Sequence, residues 1–81
     1  MMKTPLPKLY VKTGCPWCHE AIEWLDQHQF KYQAIEVRND PAAFKKLEEI
    51  SGQSKTPTLQ MPDGRVLADF GVEQLPGFLK L

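Results

Sequence analysis

The chain has 81 residues, and its ten basic and ten acidic side chains give a formal net charge of zero. This balance provides no overall field that would favour nucleic acid or an anionic membrane as a partner. No apolar run approaches the roughly 18 residues of a membrane span. The length predicts one domain over residues 1–81. The N-terminal stretch carries one charge and no long apolar run, so we expect no export signal and a location in the reducing cytoplasm.

The first half of the chain predicts a strand, a helix and a second strand. Prolines make Met1–Pro7 an extended lead-in, and the apolar Lys8–Val11 is typical of a short buried strand. A helix is predicted over Pro16–His28, because apolar residues recur there at helical spacing. The second strand is predicted over Phe30–Val37. The apolar face of the helix comprises Cys18, Ala21, Ile22 and Leu25.

The second half predicts a helix followed by a hairpin. Asp40 can cap the N-terminus of this helix, and Pro41 suits its first position. Gly52 is typical of a left-handed helix end. The third strand is predicted to open at Lys55–Leu59 and the fourth to lie at Arg65–Ala68, on either side of a Pro-Asp-Gly turn.

The last helix is predicted within Val72–Leu81. Pro76 is unfavourable inside a helix, so we expect the helix to begin near Gln74. The resulting order β-α-β-α-β-β-α predicts an α/β fold with a four-stranded mixed sheet flanked by three helices. The first two strands should be parallel through a right-handed crossover, with the hairpin on the far side.

Both cysteines lie in a Cys-Pro-Trp-Cys motif at the start of the first helix. Cys15 is expected at the helix N-terminus, where unpaired N–H groups and the helix dipole stabilise a thiolate. Lys12 can add a cation nearby, and Pro16 stiffens the turn. Cys18 lies one turn further on the apolar face, so it should keep its proton longer and be placed to attack a mixed disulfide on Cys15. The motif therefore predicts a redox-active pair.

Three other interpretations of the cysteines compete with redox chemistry. A zinc site needs four ligands at recognisable spacing, and only His19 and His28 remain to complete one, so no metal is expected. A structural disulfide would close too short a loop to stabilise the fold appreciably. Unreactive core cysteines are the third alternative. Neither histidine is well placed as a general base.

The strand, the Cys-Pro-Trp-Cys motif, the helix and the later Thr56-Pro57 together resemble the glutaredoxins, within the thioredoxin fold, over nearly the whole chain. The resemblance implies a thiol–disulfide oxidoreductase with glutathione as co-substrate. It also implies a cis bond before Pro57 and a Thr56 backbone turned toward the substrate. Lys12 stands where glutaredoxins usually keep a basic residue. Trp17 would be an exposed apolar plate for the disulfide partner.

The resemblance also points to residues that would bind glutathione. Gln53 and Lys55 stand where glutaredoxins contact the glycyl carboxylate, although solvated surface groups are the alternative. The C-terminal third departs from the glutaredoxins, and from Thr56 onward it resembles the N-terminal domain of glutathione transferases. Asp69 could receive the ammonium group of glutathione or cap the last helix. Phe70 stands where a binding serine is expected.

The partners implied by the resemblance are glutathione, disulfide-containing or glutathionylated proteins, and a flavin disulfide reductase, with the chain acting as a monomer. Two alternatives stay open. The chain could donate electrons to ribonucleotide reductase and be reduced by thioredoxin reductase. It could also be a carrier that bridges a [2Fe–2S] cluster between two subunits through the first cysteine and glutathione. Pro16 and Trp17 argue against the carrier, because they stiffen and crowd the turn.

Overall fold

The structure, a computed structural model, describes residues 5–80 of the chain. Residues 1–4 of the predicted lead-in and Leu81 of the predicted last helix lie outside this range. The described elements follow the predicted order. They are β1 (Lys8–Val11), α1 (Pro16–Gln27), β2 (Gln33–Glu36), α2 (Pro41–Ser51), β3 (Thr58–Gln60), β4 (Val66–Ala68), a 3₁₀ turn (Val72–Gln74) and α3 (Leu75–Leu79).

The four strands form one sheet in the order β2-β1-β3-β4. Strands β1 and β2 run parallel, with Val11 opposite Glu36. Strand β3 is antiparallel to both β1 and β4. The predicted mixed sheet, with its parallel first pair and its hairpin on the far side, is therefore confirmed. The register also brings the end of β1, which leads to the cysteines, beside the end of β2.

Alternation along β1 divides the core between the two faces of the sheet. Leu9 and Val11 belong to a buried cluster built with residues of α1 and α3. Tyr10 points to the other face, where it packs with Val37 and with Leu47 of α2. The sheet is thus covered by α1 and α3 on one side and by α2 on the other. No helix among residues 5–80 is long and apolar enough to cross a membrane.

Strand β1 has the predicted bounds, whereas β2, β4 and α1 are shorter than predicted and β3 is shifted toward the C-terminus. Helix α1 ends at Gln27 with His28 as its C-cap. Strand β2 begins at Gln33 and not at Phe30, because the N–H of Phe30 donates to the Leu25 carbonyl at 2.9 Å and completes the helix end. Strand β3 begins at Thr58 and not at Lys55. The N–H of Lys55 donates to the Gln53 side chain at 2.6 Å, so it is not available to a strand ladder.

The predicted ends of α2 and the start of α3 are confirmed. Asp40 Oδ1 accepts the N–H of Ala43 at 3.2 Å, and Pro41 is the first residue of the helix. Gly52 ends the helix with φ 69°, a left-handed conformation that glycine adopts without a steric cost. Helix α3 begins at Leu75. Pro76 therefore lies in its first turn, where a missing N–H breaks no helical bond.

Replacing Leu47 by alanine should test the packing of α2. Leu47 is fully buried in the cluster that fixes this helix to the sheet. We expect L47A to lower the free energy of unfolding by about 2–5 kcal/mol, through lost transfer energy and a residual cavity. Urea denaturation measures this free energy of unfolding. The neighbouring Lys46 is exposed, and K46A should change stability by less than about 0.5 kcal/mol. Equal effects of the two substitutions would contradict the assigned packing.

Candidate active site

A tight turn at residues 12–15 delivers Cys15 to the start of α1. The N–H of Cys15 donates to the Lys12 carbonyl at 3.2 Å and closes the turn. Gly14 occupies the third position with φ 84°, a conformation that this kind of turn requires and that glycine supplies without strain. The turn therefore points the chain from the end of β1 directly into the helix.

Cys15 is the N-cap residue of α1, and its sulfur acts as the capping acceptor. Sγ of Cys15 accepts the N–H of Cys18 at 3.3 Å, which satisfies one of the unpaired donors of the first turn. Pro16 is the first residue of the helix, where its ring matches the backbone angle. Cys15 is partly exposed, whereas Cys18 is buried among the apolar residues of the α1 face. Solvent and substrate can thus reach one sulfur only.

The two thiols have pKa values shifted in opposite directions. Partial burial opposes ionisation of Cys15, but hydrogen bonds from the Cys18 thiol and N–H, the Thr56 hydroxyl and the Trp17 N–H outweigh it and lower its pKa. Burial raises the pKa of Cys18, and so does the hydrogen bond that its thiol gives to Cys15. Cys15 is therefore the more acidic thiol and the better nucleophile near neutral pH.

The Thr56-Pro57 segment lies across from the cysteines. Its peptide bond is cis, as the resemblance implied. The hydroxyl and the carbonyl oxygen of Thr56 both lie 3.8 Å from Cys15 Sγ. The hydroxyl can donate to the thiolate, and the carbonyl can accept from the protonated thiol. The Thr56 hydroxyl therefore favours ionisation of Cys15, whereas its carbonyl favours the protonated thiol.

Lys12 does not place its ammonium group against the sulfur. Its Nζ donates to the Ser54 carbonyl at 3.0 Å and lies 5.5 Å from the centre of the Phe44 ring. The Lys12 ammonium is not among the largest contributions to the lowered pKa of Cys15. The bond to Ser54 ties the end of β1 to the loop after α2, and stabilisation of the thiolate by the nearby Lys12 cation stays a prediction.

The side chain of Gln53 organises its own loop. Its Nε2 donates to Ser51 Oγ at 2.8 Å and lies 3.2 Å from both Thr58 Oγ1 and the Lys55 carbonyl. Its Oε1 accepts the N–H of Lys55. These bonds occupy the amide that was expected to contact a glycyl carboxylate and hold the loop that leads to Thr56. The side chain of Lys55 is exposed beside this loop.

Trp17 and the segment before α3 form a second rim of the site. Trp17 is 59% exposed. Together with Asp69, Glu73 and Gln74 it lines a cavity of about 420 Å³. Asp69 does not cap the following turn, because Gly71 is the N-cap and its N–H donates to Gln74 Oε1 at 3.0 Å. The capping alternative for Asp69 is therefore wrong, and its carboxylate is left on an acidic rim.

Phe70 was expected among the binding residues, but its side chain is part of the core. It is only 2% exposed and packs in the cluster beneath α1. Its N–H donates to the Pro57 carbonyl at 3.4 Å. Any contact between this residue and a ligand is therefore limited to the backbone. Phe70 instead links the acidic rim to the segment beside Cys15.

Two charged residues beside the turn were missed by the sequence analysis. Glu36 Oε2 accepts the N–H and the hydroxyl of Thr13 at 2.7 and 2.9 Å. Arg38 Nε donates to the Thr13 carbonyl at 3.1 Å. The signal that could have found Glu36 is its position at the end of the second parallel strand, because carboxyl ends of parallel strands meet at one edge.

Within residues 5–80, no three His, Cys, Asp or Glu side chains lie together in a way that could hold a metal ion. The groups that the structure brings around Cys15 Sγ are thiol, hydroxyl and backbone groups from two segments, the first turn of α1 and Thr56. These groups favour an ionised sulfur facing solvent, with a second thiol behind it. Such an arrangement can exchange thiols and disulfides.

Comparisons with known proteins agree with this geometry. Residues 8–67 match the family model described as Glutaredoxin. An uncharacterized glutaredoxin-like 8.6 kDa protein in the rubredoxin operon of Clostridium pasteurianum is 25% identical over 68 residues, covering 84% of this chain and 89% of the relative. A crystal structure of a mutant thioredoxin-like protein is 32% identical with a TM-score of 0.82, over 90% of this chain and 97% of the other. A buckwheat glutaredoxin–glutathione complex is 25% identical with a TM-score of 0.65, over 76% and 58% of the two chains.

An alkylation-rate titration should separate the two thiols. The rate at Cys15 should reach its half-maximum at a pH below that of an ordinary thiol, because hydrogen bonds stabilise its thiolate. Cys18 should react only at higher pH, because burial and the bond to Cys15 raise its pKa. Mass spectrometry of the labelled peptides gives both curves. A Cys15 curve that matches a free peptide thiol would contradict the assignment.

Replacing Thr56 by valine should move the Cys15 curve to higher pH. The substitution keeps the shape of a buried side chain but removes the hydroxyl that lies 3.8 Å from Cys15 Sγ. Loss of a donor to the charged form raises the pKa of the thiol. Ser54→Ala is the matched control, because it removes a neighbouring exposed hydroxyl outside this contact. The same shift in both variants would show that the Thr56 hydroxyl has no specific effect.

Proposed function

Because the chain belongs to the glutaredoxin family, we propose that it is a thiol–disulfide oxidoreductase that reduces protein disulfides, glutathione mixed disulfides or both. The observation that carries this proposal is the pair of thiols at the start of α1. Cys15 is partly exposed and has a lowered pKa, and Cys18 is buried three residues later with a raised pKa. This asymmetry assigns attack to the first sulfur and resolution to the second.

The proposed reaction has two exchange steps. The Cys15 thiolate attacks one sulfur of a substrate disulfide, forms a mixed disulfide and releases the other sulfur as a thiolate, which takes up a proton. Cys18 then loses its proton, attacks Cys15 Sγ and releases the second substrate thiolate. The substrate has then gained two electrons, and Cys15 and Cys18 have been oxidised to a disulfide. Two glutathione thiols, or a flavin disulfide reductase, return the pair to the dithiol.

When the mixed disulfide joins Cys15 to glutathione, free glutathione can resolve it without Cys18 and leaves as oxidised glutathione. This monothiol route needs a binding site for glutathione beside Cys15. Three features support one: the Thr56 backbone facing Cys15, the exposed ring of Trp17, and the carboxylates of Asp69 and Glu73 on the acidic rim. The backbone of Thr56 can pair with the extended part of glutathione, as an added strand would. The rim carboxylates can accept the ammonium of its γ-glutamyl end. The buckwheat glutaredoxin of similar fold forms a complex with glutathione.

Serine substitutions of the two cysteines should give different losses. C15S should abolish activity by both routes, because the nucleophile is gone. C18S should keep the reduction of glutathione mixed disulfides while losing the reduction of protein disulfides, because only Cys18 resolves the latter. Coupled assays with a glutathionylated peptide and with a protein disulfide measure the two activities. Equal loss in both assays of C18S would refute this division of labour.

Asp69→Asn should weaken the use of glutathione mixed disulfides. An exposed ion pair with the γ-glutamyl ammonium accounts for a rise in KM of about twofold to fivefold, with kcat nearly unchanged. Glu49→Gln is the control, since it removes one exposed carboxylate from the far helix α2. A substrate whose γ-glutamyl amine is acetylated should show no difference between wild type and D69N. A loss that persists with the acetylated substrate would contradict the ammonium contact.

The electron donor is the remaining choice within this proposal. Reduction of the Cys15–Cys18 disulfide should be supported by glutathione with its reductase, because the Thr56 backbone, Trp17 and the rim carboxylates offer contacts for glutathione. Efficient turnover with thioredoxin reductase alone would instead support the role of a donor to ribonucleotide reductase. Anaerobic reconstitution with iron and sulfide tests the carrier alternative, since a coloured dimer held through Cys15 would replace the enzyme interpretation.

A further inference from the structure

A second set of bonds, separate from those around the sulfur, fixes the turn that carries Cys15. Glu36 ends β2, directly across the register from Val11 at the end of β1. Its Oε2 accepts two bonds from Thr13, to the N–H and the hydroxyl, and its Oε1 accepts the N–H of Asn39 at 3.0 Å. Arg38 adds a bond to the Thr13 carbonyl. Every polar group of Thr13 is thus bonded to the end of β2 or to the residues just after it.

These bonds matter because packing does not hold the turn. Thr13 and Gly14 are both exposed. An ideal Cβ at Gly14 would meet no atom within 4 Å, so no neighbouring side chain presses on this part of the backbone. The position of the turn is therefore set by hydrogen bonds at its two ends, the Thr13 bonds before it and the capping bond of Cys15 after it.

We infer that Glu36 is a positioning residue for thiol–disulfide exchange, because its carboxylate clamps Thr13 and so keeps Cys15 Sγ where the donors that stabilise its thiolate converge. This inference rests on the proposed function for its kinetic consequence only. The hydrogen bonds of Glu36 go to Thr13 and Asn39 and not to Cys15 Sγ, and no contact with substrate is proposed for it. It acts through Thr13 and the turn, and Arg38 completes the clamp on the carbonyl side.

The clamp is intact over the working range of a thiol exchange enzyme. Hydrogen bonds from the N–H groups of Asn39 and Thr13 lower the pKa of Glu36, so its carboxylate stays ionised and able to accept all three bonds well below neutral pH. The titratable groups that share the adjoining cavity of about 250 Å³ are Lys12, Cys15, Cys18 and His19.

The direction in which the pKa of Cys15 changes when Glu36 is removed distinguishes a clamp from a simple charge. A carboxylate near a thiolate repels it, so removing the charge of Glu36 should by itself lower the pKa of Cys15 and speed its alkylation. Loosening the turn has the opposite consequence. Sγ then spends less time beside its donors, the thiolate loses stabilisation and alkylation slows. If Glu36 only supported the fold away from the site, its removal would change neither the pKa of Cys15 nor its alkylation rate.

E36A is the decisive variant. Alanine removes both carboxylate oxygens, so the N–H and hydroxyl of Thr13 and the N–H of Asn39 all lose their acceptor at residue 36. In the C18S background, we expect alkylation of Cys15 near pH 6.5 to slow by about threefold to tenfold, in proportion to the lost thiolate fraction. In the chain with both cysteines, kcat/KM for disulfide reduction should fall by a similar factor.

Two further variants complete the experiment. Thr13→Val removes the hydroxyl bond but keeps the N–H bond to Glu36, so it should slow alkylation in the same direction by a smaller factor. Glu49→Gln removes one exposed carboxylate on α2 and should leave the rate unchanged. Circular dichroism verifies that each variant is folded. If E36A does not fold, the alkylation rate of T13V is the deciding measurement.

An unchanged or faster alkylation rate in folded E36A, or in T13V where E36A does not fold, would overturn the clamp. Failure of the clamp hypothesis can be distinguished from failure of the proposed function. Wild-type protein that reduces no disulfide with any donor would refute the oxidoreductase. The alkylation rates would still report whether Glu36 controls the ionisation of Cys15.

Discussion

The bond between the Cys18 N–H and Cys15 Sγ is the interaction on which the site depends. It makes a sulfur the N-cap of α1, in place of the oxygen that caps most helices. The helix itself is fixed by Ala21 and Leu25, which are fully buried against β1. The packing of the helix thereby sets the direction of the donors, and the cap sets the sulfur in front of them. Reactivity at Cys15 is thus a consequence of how α1 meets the sheet.

The same helix start separates the chemistry of two identical side chains. A spacing of three residues places Cys18 almost one turn beyond Cys15, on the face that packs into the core. Burial there raises the pKa of Cys18. At Cys15 burial also opposes ionisation, but several hydrogen-bond donors outweigh it and lower the pKa. The hydrogen bond from the Cys18 thiol also lowers the pKa of Cys15, so in the proposed exchange the second sulfur stabilises the first. The same spacing of three residues would serve both proposed steps.

The fold and the placement of the cysteines could be predicted from sequence because local signals determine them. Helical spacing, Asp40 as a cap and Gly52 as a stop each act within a few residues. The contacts of Lys12 and Gln53 could not be predicted in this way. Lys12 bonds to a carbonyl 42 residues away, and the amide of Gln53 is used up within a loop whose path depends on the sheet. Sequence position near a motif does not reveal which partner a long polar side chain finds.

Phe70 shows how a residue can serve a site without contacting a ligand. Its buried ring anchors the C-terminal segment in the core beneath α1, and its N–H binds the Pro57 carbonyl. The residue before it, Asp69, has φ 50° and lies exposed beside Trp17. Because the ring of Phe70 fixes the backbone on one side, the neighbouring carboxylate is held on the other, facing the rim. The buried ring of Phe70 thus helps to fix the position of the Asp69 carboxylate beside Trp17.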